Sequence, residues 1–133
     1  MSDFKYKLEH NLDERKQESN RILKEHPNRM PVICETAPNS NIPALRKTKY
    51  LVPSDMTINQ FQFLIRRNLD LNEMSALYLI TKNNITLAGD RTMMEIYNIY
   101  KDKQDNFLYI YCASELTWGY SLKTNILNIK KKF

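Results

Sequence analysis

The sequence predicts an α+β domain with the element order of a β-grasp fold, and three observations carry that expectation. The hydrophobic period changes from helical to alternating after Pro27. Two capping boxes, Thr57 to Gln60 and Thr92 to Glu95, open two further helices. The run FLYIYCA, Phe107 to Ala113, is apolar on both of its alternating faces and suits the centre of a sheet.

Residues 2–26 read as helix in two pieces. Phe4, Leu8 and Leu12 recur every four residues, and Leu12, Ser19, Ile22 and Leu23 form a second stripe with charge elsewhere. Pro27 stops the second piece. RMPVICET, Arg29 to Thr36, and KYLV, Lys49 to Val52, are β-prone runs joined by the Pro- and Asn-rich loop APNSNIPAL. Behind the first capping box, Ile58, Phe61, Leu64, Ile65 and Leu69 fall at helical spacing. Leu77 to Thr81 reads as a strand, and KNNITLAGD continues through a turn into a short one. Behind the second box, Met93, Ile96, Tyr97 and Tyr100 share a helix face. The order helix, helix, β, β, α, β, β, α, β fits a β-grasp core with two extra N-terminal helices. Periodicity alone also leaves other α+β sandwiches open.

A chain of 133 residues reads as one domain that can bury a conventional core. Twenty Lys and Arg against 15 Asp and Glu give a formal charge of +5, which favours acidic partners without choosing among nucleic acid, peptide and membrane. Two cysteines form no disulfide framework, no signal-peptide pattern opens the chain, and no apolar run reaches the ~18 residues of a membrane span. A soluble intracellular protein is expected.

No active site emerges. His10 and His26 lie in the helical N-terminal segment without zinc-ligand spacing. Gly89, the one interior glycine, excludes a Gly-rich phosphate loop. Cys34 and Cys112 fall in strands, where buried thiols behave as small apolar residues. No enzyme activity, cofactor or metal is expected. Arg46, Lys47 and Lys49 beside Tyr50, and Arg66-Arg67 after Phe61, suit either phosphate contacts with base stacking or a basic rim around an apolar groove. The core-like periods of the aromatics favour the groove.

The segment KYLVPSDMTINQFQFLIRRNL, Lys49 to Leu69, closely resembles the centre of the autophagy ubiquitin-like modifiers. These are the GABA-receptor-associated protein and microtubule-associated light chain type, conjugated to phosphatidylethanolamine on autophagosomal membranes. RILKEHPNRMPVICETAP is similar to that family's first strand and its approach, and FLYIYCASELTWG to its last strand and terminus. The resemblance spans roughly Phe4 to Gly119. It implies a ubiquitin-like core over residues 27–119, a packed helical extension over 1–26 and a cleaved propeptide over 120–133. A cysteine protease would cut after Gly119, and activating and conjugating enzymes would pass its carboxylate to the lipid amine. Glycine suits this chemistry, because without a Cβ it threads a narrow cleft and leaves its carbonyl open to attack.

The resemblance further implies that W/F/Y-x-x-L/I/V peptides of cargo receptors and autophagy proteins add as a strand beside KYLV. Glu18, Ile22, Pro31, Ile33, Lys49, Leu51 and Phe107 would form the aromatic pocket. Tyr50, Val52, Pro53, Met56, Phe61, Leu64 and Ile65 would form the aliphatic one. Arg29, Lys47 and Arg66 would meet acidic flanks of the motif. The protein would be monomeric, would bind no nucleic acid, and would be cytoplasmic until lipidation brings it to autophagosomal or other vesicle membrane. It departs from the family in its long tail ending Lys130-Lys131-Lys132-Phe133, in Trp118 before the glycine, and in a longer KNNITLAGDR segment lacking a proline pair. Tyr78 and Ile80 stand where aromatics often help protease recognition. These departures bear on processing rather than on fold.

Overall fold

A strand apolar on both faces needs a cover on each side, and the computed structural model supplies two. It describes residues 3–38, 40–69, 71 and 76–114. The elements are α1 (Lys5–Glu9), α2 (Leu12–Glu25), β1 (Arg29–Thr36), β2 (Lys49–Pro53), α3 (Ile58–Asn68), β3 (Tyr78–Thr81), β4 (Thr86–Leu87), α4 (Met93–Tyr100) and β5 (Leu108–Ala113). The strands form one sheet in the order β2-β1-β5-β3-β4. β1 and β5 pair in parallel at its centre, and the other neighbours are antiparallel. This is the expected β-grasp order.

Alternation along the central strands divides the core in two. Leu108, Ile110 and Cys112 face α3 and α4, joining Val32, Cys34, Phe61, Ile65 and Met93 in one cluster. Tyr109, Tyr111 and Ala113 face the N-terminal segment, joining Phe4, Ile22, Ile33 and Phe107 in another. Each fully buried aliphatic or Phe side chain contributes about 1.5–3 kcal/mol. Both anticipated capping boxes form. Thr57 accepts from Gln60 N–H and Thr92 from Glu95 N–H, with both reciprocal side-chain bonds in place. The two caps lie side by side, bridged between Thr57 and Thr92. Gly89, beside them, has φ +99°, a left-handed conformation that an L side chain would strain.

The N-terminal stripe differs from its expected form. Phe4 is fully buried, yet Leu8 is 70% exposed, because Phe4 is the N-cap residue with extended backbone, outside α1, and shares no helix face with Leu8. Polar contacts hold this segment down alongside its apolar packing. Both Glu35 carboxylate oxygens accept from the start of α1, from Lys5 N–H at 2.8 Å and Tyr6 N–H at 3.0 Å. Phe4 stacks on Tyr111 with ring centroids 3.9 Å apart.

Below α2, fully buried Asp105 accepts from Arg15 Nε at 2.8 Å, from the Tyr109 hydroxyl at 2.5 Å and from Phe107 N–H at 2.9 Å. Arg15 also donates to the His10 carbonyl, and Ser19 to that of Asp105. Burial, followed by Asp105, pushes the Tyr109 phenol far above its ordinary range, so it remains a donor. Nearby, Lys7 donates to Asp102 at 2.6 Å. Partial burial raises the Asp102 carboxyl, but Lys7 and the N–H groups of Gln104 and Asp105 outweigh it and leave it below the ordinary range.

Two outcomes are expected. Asp105→Ala strands a buried Arg15 and costs about 3–5 kcal/mol in urea denaturation, against about 1 kcal/mol for Tyr109→Phe; similar losses from the two would contradict the network. A lowered folded-state pKa gives Asp102 a stabilising share that is present above its unfolded value of about 3.9 and lost as pH falls through the folded value. Asp102→Asn therefore shrinks the stability difference between about pH 5 and pH 3, read from urea midpoints.

Candidate functional site

β2 is an edge strand, and its register decides which backbone groups it leaves open. Ser54 N–H donates to the Asn28 carbonyl at 2.9 Å, and Cys34 N–H to that of Thr48 at 2.8 Å. Between these bonded pairs the register runs without a break from Arg29 opposite Pro53 to Ile33 opposite Lys49. Antiparallel pairs alternate, so Val52 and Tyr50 bond to β1, while the peptide groups of Lys49, Leu51 and Pro53 face outward. Among the described residues no strand lies on that side. Pro53 lacks an N–H, so the edge offers two donors and three acceptors.

Side chains of the same strand alternate across the sheet. Leu51 packs on the cluster beneath the N-terminal helices, whereas Tyr50 and Val52 belong to the cluster beneath α3. Apart from Pro53, which alternates to the face of Lys49 and Leu51, the two sets of residues expected to form pockets therefore lie on opposite faces of one edge.

On the first face, Ile22, Ile33 and Phe107 are fully buried and Pro31 is buried, forming a floor, while Glu18, Lys49 and Leu51 are half-buried at the rim. Lys49 Nζ bonds to the Glu18 carboxylate, which also accepts from Arg21 Nε at 2.6 Å. Hydrogen bonds from Arg21 and then Lys49 hold the Glu18 carboxyl below its ordinary range. Beside this pair lies a cavity of about 400 Å³ lined by Tyr6, His10, Glu14, Glu18, Arg21 and Lys49. Tyr6 and His10 were not anticipated at this site. Tyr6 lies on α1 and His10 caps its C-terminal end, with ring centroids 4.5 Å apart, and Tyr6 meets Phe107 edge-on at 5.1 Å. Their i, i+4 spacing is the signal that marks them.

On the second face, Phe61 and Ile65 are fully buried, Tyr50 and Val52 nearly so, and Met56 and Leu64 are half-buried at the surface; Pro53, expected here, alternates with Val52 to the face of Lys49 and Leu51. Tyr50 packs edge-on against Phe61 with centroids 5.6 Å apart. Its hydroxyl donates to the Lys47 carbonyl at 2.8 Å and accepts from Asn68 at 3.2 Å, and burial raises its pKa. Lys47 Nζ lies over the Tyr50 ring, 4.9 Å from its centroid.

The three basic residues expected at the flanks separate. Lys47 precedes one end of β2, and Arg29 stands opposite Pro53 at the other. Arg66 is half-buried in the last turn of α3. Arg29 reaches back along the edge and donates from Nη1 to the Leu51 carbonyl at 2.9 Å.

The Cys34 thiol is buried and hydrogen-bonded to Cys112, and that bond together with burial pushes it well above the usual range. Such a thiol is a poor nucleophile. Among the described residues no three His, Cys, Asp or Glu side chains gather as a metal site, and no helix is long and apolar enough to cross a membrane. Trp118, Gly119 and the tail to Phe133 lie outside the described residues.

The family model "Autophagy protein Atg8 ubiquitin like" matches residues 14–119. Autophagy-related protein 8c of Arabidopsis thaliana is 42% identical over 120 residues, covering 90% of this chain and 98% of that protein. The crystal structure of Trypanosoma brucei ATG8 superposes with a TM-score of 0.80 at 39% identity, covering 86% of this chain and 97% of that one. The chain belongs to the Atg8 family of autophagy ubiquitin-like proteins.

Proposed function

We propose that this protein is a non-enzymatic modifier that is cut after Gly119, conjugated to phosphatidylethanolamine, and used on autophagosomal membranes to gather W/F/Y-x-x-L/I/V peptides by strand addition. The observation that carries the peptide half is the open edge of β2 with an apolar floor on each side. In an extended peptide, residues three apart point to opposite faces. An aromatic residue would enter between β2 and α2, over Ile22, Ile33 and Phe107. The aliphatic residue three positions later would cross to the face built by Val52, Phe61 and Ile65. Its backbone would meanwhile pair with Lys49 and Leu51. With the aromatic pocket at Lys49 and Leu51 and the aliphatic one beyond Val52, the peptide would run parallel to β2.

Support for the lipid half comes from family membership and from Gly119, the residue at which the family match ends. Residues 120–133 are assigned as a propeptide on the same grounds. The partners in this reading are a processing cysteine protease, the activating and conjugating enzymes, motif-bearing cargo receptors and autophagy proteins. The protein is cytoplasmic before conjugation and vesicle-bound after it. Two acyl chains supply a firm anchor where one is marginal. The formal charge of +5 helps at an anionic surface by about 1 kcal/mol per basic residue near it.

Intact mass of the protein from its own cells tests the lipid half. A soluble species ending at Gly119 and a membrane species heavier by one phosphatidylethanolamine are expected, both lost in Gly119→Ala. A single species still carrying the tail in both fractions would favour an unlipidated peptide-binding scaffold. The peptide half predicts a spacing rule, read by calorimetry. Shortening W-x-x-L to W-x-L puts both anchors on one face and forfeits one buried side chain, which weakens binding roughly tenfold to a hundredfold. Equal affinity for the two spacings would contradict pockets on opposite faces.

A further inference from the structure

A groove leads from the end of β5 to the aromatic pocket. Three cavities of about 290, 330 and 400 Å³ follow one another along α1. The first is walled by Tyr111, Ala37 and Pro38, and it shares Lys5, Glu35 and Ala44 with the second. The second shares Tyr6, His10 and Lys49 with the third, the cavity beside the Glu18–Lys49 pair.

The chain itself arrives at the near end of this groove. Ser114 follows Ala113 at the end of β5, three positions past Tyr111, and residues 115–133 continue from there. Lys49 lies two strands over. Cys112 stands opposite Thr36 and Lys49 opposite Ile33, so roughly 14 Å separates Cys112 from Lys49. Trp118, six residues past Cys112, reaches about 20 Å when extended. It is the chain's single tryptophan, an aromatic side chain suited to the floor of Ile22, Ile33 and Phe107. Charge favours the same path. Residues 120–133 hold four lysines and no acid. Glu9 and Glu14, which line the second and third cavities, are exposed and among the described residues pair with no Lys or Arg.

We infer that, while the C-terminus carries no lipid, Trp118 folds back along this groove and occupies the aromatic pocket. This rests on the strand-addition and lipid readings above and adds a regulation to them. Three positions after Trp118 stands Ser121, so the tail fills the aromatic pocket and leaves the aliphatic face empty. A peptide with both anchors displaces it. The short tether keeps Trp118 at a local concentration on the order of 1 mM, so even a one-pocket contact competes. Cleavage after Gly119 removes the lysines and leaves Trp118 in place. Conjugation then holds Gly119 at the membrane surface and draws Trp118 out, so the site opens where peptides are to be gathered.

Two measurements on the full chain test this. As the sole tryptophan, Trp118 reports its own surroundings by its emission. That emission is expected to lie to the blue of a synthetic peptide of residues 114–133, and to move to the red when a tryptophan-free F-x-x-L peptide binds. Emission equal to that of the synthetic peptide overturns the inference, as does a blue shift that persists once calorimetry shows the F-x-x-L peptide bound.

The second measurement is affinity. Trp118→Ala is expected to bind the F-x-x-L peptide several-fold to about tenfold more tightly than wild type, because the pocket is no longer occupied. Equal affinity for the two would leave the tail outside the pocket and overturn the inference. Failure of the peptide to bind wild type and variant alike, with Trp118 emission still blue-shifted, would instead count against strand addition itself and remove the regulation with it.

Discussion

The parallel pairing of β1 with β5, buried on both faces, is the constraint from which the other features follow. Parallel strands need a cover on each side, and here α3 with α4 cover one and the N-terminal segment the other. With β5 on one flank of β1, β2 can pair only on the other, which leaves it at the edge of the sheet. An edge strand between two covered faces has a helix above it and another below. The peptide site proposed here is thus a by-product of how the centre of the sheet is buried.

The N-terminal cover is fastened by charge as much as by apolar contact. Asp105 gathers Arg15, Tyr109 and the Phe107 N–H at a fully buried point, while Glu35 caps α1 from the end of β1. A buried ion pair is seldom a large net source of stability, but breaking one half is expensive. Its consequence here is positional. It sets α2 at one distance from β2, and that distance sets how much room lies between Glu18, Lys49 and Tyr6. The opposite floor needs no such device, because α3 grows directly from its Thr57 cap with Phe61 and Ile65 turned inward.

Much of this was legible in the sequence where the signal is local. The capping boxes at Thr57 and Thr92, the two-sided apolar run into Ala113 and the stop at Pro27 each rest on neighbouring residues, and the helices and strands fall where they indicate. The resemblance of Lys49 to Leu69 to a known family supplied the candidate site residues, and the structure divides them between opposite faces, with Pro53 alternating to the face of Lys49 and Leu51. Contacts that depend on distant pairing left no local trace. Glu35 and Asp105 look like ordinary surface carboxylates until the fold brings Tyr6 and Arg15 to them. Leu8 fits a helical stripe with Phe4 until the extended backbone of Phe4 leaves that residue outside α1. The hydrogen bond from Arg29 to Leu51 depends on the register of β1 against β2, which no pattern within either strand reveals.

The central claim is that β2 accepts a peptide as a further strand along its outward groups. Amide hydrogen exchange with and without a W-x-x-L peptide tests it most directly. The amides of Lys49 and Leu51, which face outward, should become protected, while those of Tyr50 and Val52, already bonded to β1, should change little. Binding that leaves Lys49 and Leu51 exchanging as freely as before would contradict strand addition and leave the peptide held by side chains alone.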